Sequence, residues 1–142
     1  MTRVDPDNEA TFHVCIIPSE LCYVDLPQQA VLGELHRHGY GGQVVFGIKL
    51  AMEEALTNAV KHGNCCDSTK RVTVRYAVTE ERAVVVVRNE GPGFEPGEVP
   101  DPTNPERLPL PNGRGILLIK AYMDDVRYRD QGREVYFMKR RG

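Results

Sequence analysis

No stretch of this chain is apolar for the length that a membrane-spanning helix requires, and the first residues, MTRVDPDNEA, are too polar for a secretory signal. The net charge of −2 exerts no general pull toward nucleic acid or an anionic membrane. Cysteine is scarce: Cys15, Cys22, Cys65 and Cys66 are the only four, and no second pair with metal-ligand spacing accompanies Cys65-Cys66. Free thiols in a cytoplasmic protein are therefore expected, not a disulfide framework or a zinc site. No internal repeat and no linker divides the sequence. With 142 residues, 41% of them hydrophobic and 27% charged, the chain suits one globular domain. Residues 1–10 read as a loose tail and 11–142 as the domain.

Against these absences stands Val44 to Asn64, VVFGIKLAMEEALTNAVKHGN. Apolar residues at Val44, Ile48, Ala51, Met52, Ala55, Ala59 and Val60 recur with the period of a helix. Gly63 ends it, with Lys61 and His62 in the last turn, where the helix dipole favours cations. Glu54 and Asn58 are four apart and share one face, and Lys61 lies about a turn further on. A carboxylate suits a general base. A neutral amide oxygen suits Mg²⁺ whose charge is already met by phosphates, and a lysine suits the remaining phosphate charge. The same three residues also suit a plain solvated helix face.

Thr11 to Ile17 alternates as a strand, which Pro18 stops. Ser19 is expected to cap a helix running to about His38, with Pro27 as a kink or as the true start. Leu21, Val24, Val31, Leu32 and Leu35 form its expected buried stripe. Gly39-Tyr40-Gly41-Gly42 turns the chain into the central helix. Arg71 to Thr79 alternates cleanly, and Arg82 to Arg88, RAVVVVR, reads as a central strand covered on both faces. Asn89-Glu90-Gly91-Pro92-Gly93-Phe94 ends that strand, its glycines allowing close approach to a ligand. Glu95 to Asn112 carries Pro96, Pro100, Pro102, Pro105, Pro109 and Pro111 and reads as a long irregular loop. Gly113-Arg114-Gly115 opens a helix from Ile116 to about Met123, a suitable phosphate seat. Val126 to Asp130 and Arg133 to Lys139 form a closing hairpin around Gln131-Gly132.

A helix bearing E-x-x-x-N, a strand-end G-x-G-F, and a long loop closed by G-x-G before a helix resemble, in this order, the GHKL ATPase superfamily with its Bergerat fold. Within it the match is to the RsbW-type anti-sigma-factor serine/threonine-protein kinases. EALTNAVKHG at 54–63 is similar to the N box, NEGPGF at 89–94 to the G1 box, GRGI at 113–116 to the G2 box, and MDDV at 123–126 to a subgroup motif. Glu95 to Asn112 would be the ATP lid.

The resemblance implies an α/β (α+β) two-layer sandwich: a mixed, mostly antiparallel sheet with helices on one face. It implies a histidine kinase-like ATPase domain over 11–142. Glu54 would be the catalytic base and Asn58 the Mg²⁺ ligand. Nucleotide would be held by Asn58, Lys61, Asn89, Gly91, Gly93, Phe94, Gly113, Arg114, Gly115 and Ile116. Two family positions are altered here. The G1 aspartate is Asn89, and the threonine that supports the base from the last strand is Glu134, for which a relocated carboxylate beside the base is expected. The implied function is an ATP- and Mg²⁺-dependent serine kinase that binds a sigma factor and phosphorylates an antagonist protein. A homodimer is implied by resemblance only, and neither direct nucleic-acid nor membrane contact is. A nucleotide-gated binding module without phosphotransfer and a plain ATPase are the competing readings.

Overall fold

The computed structural model describes residues 12–63, 69–91, 119–130 and 133–142. Strand β1 (His13–Pro18) is followed by a short 3-10 turn (Leu21–Tyr23) and helix α1 (Asp25–Arg37). Helix α2 (Gly42–Asn58) runs directly into a π-helical turn (Ala59–Gly63). Four further strands are β2 (Arg71–Val78), β3 (Arg82–Asn89), β4 (Asp125–Arg129) and β5 (Glu134–Arg140). Residues 119–122 are helical.

Pro27 falls in the first turn of α1, where its missing N–H costs nothing, so it marks the helix start and does not kink a longer helix. The expected stripe holds at Val31 and Leu35, both fully buried, and fails at Leu21, which lies in the 3-10 turn and is exposed. A Schellman turn ends α1. Gly39 takes a left-handed φ of 74°, its N–H meets the His36 carbonyl, and the Tyr40 N–H meets the Leu35 carbonyl at 3.0 Å. Tyr40 then donates its hydroxyl to the Thr79 carbonyl at 2.7 Å, tying this turn to the end of β2.

The five strands form one sheet in the order β1-β2-β3-β5-β4. Every described pairing is antiparallel, where a mixed sheet was expected. Two successive helices between β1 and β2 return the chain to run against β1, and the β2-β3 and β4-β5 connections are hairpins, which join antiparallel strands. The helices cover one face. Ile17, Val72, Val74, Val85, Val87, Val135 and Phe137 from the strands pack there with Val31, Leu35, Ile48, Met52, Leu56 and Val60. On the other face Phe12, Ala77, Val84, Val86, Tyr136 and Met138 form a second cluster. Strand β3 contributes valines to both clusters, as its unbroken β-branched run dictates. Among the described residues no helix is long and apolar enough to cross a membrane.

Candidate functional site

The last two turns of α2 carry Glu54 and Asn58, one above the other and both half-buried. Among the described residues neither side chain has a hydrogen-bond or ion-pair partner. Immediately beyond Asn58 the helix widens into the π-turn, a distortion that often accompanies functional sites. Lys61 lies in this turn, exposed to solvent.

Across from Asn58 is the end of β3. Its last residue, Asn89, is only 4% exposed. The backbone N–H of Asn89 donates to the Arg133 carbonyl at 2.8 Å, which joins β3 to the start of β5. The Asn89 Oδ1 accepts the Gly91 N–H at 3.1 Å, an Asx turn that bends the chain off the sheet. The Arg133 Nε donates to the Gly91 carbonyl at 2.8 Å, so the arginine lies across the same turn.

These elements enclose a pocket. Its described walls are Ala55, Asn58 and Ala59 below, Val87 and Asn89 from β3, Ile119, Tyr128 from β4, and Arg133 and Val135 at β5. Its volume is about 20 Å³, room for one water. The hydroxyl of Tyr128 is pushed well above its ordinary pKa by burial and stays protonated. None of the described lining residues is a carboxylate.

Asn58 and Asn89 both line this pocket, and the buried Gly91 follows Asn89 in its Asx turn. Glu54 stands one turn from Asn58, outside the lining. Gly93, Phe94, Gly113, Arg114, Gly115 and Ile116, with the lid from Glu95 to Asn112, lie outside the described residues.

Glu134 corrects the expectation made for it. Side chains alternate along β5, and Val135 faces the helices and the pocket, so Glu134 faces away. It is opposite Arg88 in the β3-β5 register and accepts from Arg75 at 2.9 Å, with Arg88 and Arg129 each at 3.9 Å. The carboxylate therefore balances an arginine cluster on the far face and does not reach the pocket. Arg133, Tyr128 and Val135 are lining residues that the motifs did not reveal. Alternation through β4 and β5 was the available signal for the last two, and nothing local marks Arg133.

The residues present fit a purine nucleotide and a hard cation. Asn89 is buried, and among the described residues its Nδ2 has no acceptor, which suits an acceptor on a base edge. Asn58 offers a neutral oxygen. No group of three or more His, Cys, Asp or Glu side chains converges among the described residues, so a cation here would draw most of its ligands from phosphate and water.

Comparison with known proteins shows the family and supports the fold. The family described as histidine kinase-like ATPase domain matches residues 17–139. Serine-protein kinase RsbW of Listeria monocytogenes serotype 4a (strain HCC23) is 32% identical over 92% of this chain and 89% of its own length. The protein of the same name from Bacillus subtilis (strain 168) is 30% identical over 84% of this chain and 79% of its own. The crystal structure of the RsbU and RsbW domains of a Mycobacterium tuberculosis protein superposes with a TM-score of 0.62. That match is 14% identical and covers 91% of this chain and 31% of the other, which supports the fold.

Proposed function

Because the chain belongs to the histidine kinase-like ATPase family, within its RsbW serine-protein kinases, we propose that it is an anti-sigma factor that uses ATP to phosphorylate a serine on an antagonist protein. The observation that carries this reading is the meeting of Asn58 and Asn89, from opposite elements, on one pocket with Glu54 a turn away.

In this reading Asn89 and the Gly91 turn hold the base. The phosphates extend toward Asn58 and Lys61. Glu54 accepts the proton of the attacking serine hydroxyl while its oxygen forms a bond to the γ-phosphorus and the bond to ADP breaks. Asn58 would hold Mg²⁺, which when bound offsets charge on the transferring phosphoryl group. Glu54 is suited to this role because, among the described residues, no cation pairs with its carboxylate. The partners would be a sigma factor and its antagonist in the cytoplasm, with no direct contact to nucleic acid.

A second reading is favoured by one feature, the absence of a carboxylate from the described pocket lining. The chain would then be a nucleotide-gated module that sequesters its partner without transferring phosphate. Incubation with γ-labelled ATP, Mg²⁺ and candidate antagonists separates the readings. Label on a partner serine supports the kinase, label released as free phosphate supports a plain ATPase, and unchanged ATP supports the module.

A further inference from the structure

Asn89 is held in one orientation. The group it faces at 3.1 Å is the Gly91 N–H, a donor, so the side-chain atom there must be the oxygen. The Nδ2, with two N–H donors, is the other atom of that amide, and Asn89 is a lining residue of the pocket. Among the described residues no protein atom accepts from it, although the residue is 4% exposed. Buried donors without acceptors are costly, and in native structures each calls for a partner.

The rest of the described lining sharpens what that partner is. Arg133 can only donate, the protonated Tyr128 hydroxyl and the Asn58 amide can each donate and accept, and no carboxylate is present among the described lining residues. Glu134, which follows Arg133 in sequence, is turned to the opposite face and engaged by Arg75. A carboxylate at position 89 would accept the amino group of adenine and repel a carbonyl oxygen at the same ring position. The amide does neither exclusively. Its Nδ2 can donate to the 6-oxygen of a 6-oxopurine while the second lone pair of Oδ1 accepts the ring N1–H. Adenine presents the opposite order, a donor at position 6 and an acceptor at N1, so with the amide held it would meet the same two atoms only with its edge reversed, Nδ2 on N1 and Oδ1 on the 6-amino group.

We propose, resting on the nucleotide-binding reading above, that this pocket takes 6-oxopurine nucleoside triphosphates alongside ATP, with Asn89 as the residue that sets base selectivity. The test is equilibrium binding of ATP, ITP and GTP, each with Mg²⁺, to the full chain and to its Asn89→Asp and Asn89→Ser variants. ITP isolates the 6-oxygen from the 2-amino group of guanine. The expected wild-type result is an ITP affinity within about tenfold of that for ATP, the spread of one ordinary hydrogen bond. Asn89→Asp should shift the ratio toward ATP by about tenfold or more, the scale of a charge-assisted bond gained and a repulsion added. GTP binding as ITP extends the claim to guanine, and GTP excluded while ITP binds still supports it. A wild-type preference for ATP over ITP beyond about 100-fold would overturn the proposal, as would an unchanged ratio in Asn89→Asp, the result expected of an amide that merely holds water. If Asn89→Asp does not fold, Asn89→Ser takes its place, and an unchanged ratio there also counts against it. Failure of the wild type to bind any purine nucleotide would remove the nucleotide-binding reading itself, a distinguishable result.

Discussion

Arg75 on β2 reaches across β3 to the Glu134 carboxylate on β5, at 2.9 Å, on the face of the sheet away from the helices. Both side chains are largely buried, and Phe12 packs against the Arg75 guanidinium at 5.8 Å. The pair is structural. Glu134→Thr should therefore destabilise the fold by about 3 kcal/mol, since it removes the carboxylate from a mostly buried ion pair, and leave the ratio of ATP to ITP affinity unchanged. Chemical denaturation and nucleotide binding check the two halves. A changed base preference would return Glu134 to the site.

Tyr40→Phe removes the hydroxyl that meets the Thr79 carbonyl. The expected loss is about 1 kcal/mol of stability, with no change in nucleotide affinity. Burial pushes the Tyr40 hydroxyl up to about 12 from its ordinary 10. The folded state thus keeps a proton that the unfolded state releases first, so this contribution is complete below pH 10 and is lost as pH rises toward 12. Denaturation curves of wild type and Tyr40→Phe across that window should converge. Parallel curves would show that Tyr40 titrates normally.

Much of this fold was legible because local chemistry left little choice. The valine run of β3 has no solvent-tolerant face, and it became the strand covered on both sides. The helical period from Val44 to Val60 became α2 and its π-turn. Leu21 was misassigned because one stripe was drawn through a helix that begins only at Asp25, with Pro27 in its first turn. Glu134 was misassigned for a different reason. A strand places neighbouring side chains on opposite faces, so its orientation depends on register. The register is fixed by distant partners, Arg88 opposite Glu134 and the Asn89 N–H on the Arg133 carbonyl, which composition does not reveal. The Asx turn was foreshadowed by Asn89-Glu90-Gly91, but the unpartnered Nδ2 that it leaves behind is a three-dimensional fact.

Asn58→Ala should abolish the Mg²⁺ dependence of nucleotide binding while changing the melting temperature little. The side chain is half-buried and makes no protein hydrogen bond, so its loss leaves no partner unsatisfied. Titrations with ATP in the presence of Mg²⁺ and of a chelator, alongside a thermal melt, report both quantities. Undiminished Mg²⁺ dependence would take Asn58 out of the phosphate region.

The central claim is that Glu54 serves phosphoryl transfer from a nucleotide held between α2 and the end of β3. Its most direct test is single-turnover transfer from saturating ATP to the serine of an antagonist protein, by wild type and Glu54→Gln. Glutamine keeps the shape and removes the base. ATP affinity should match wild type while the transfer rate falls by roughly 10²–10⁴. Transfer by Glu54→Gln at a near wild-type rate would contradict the account.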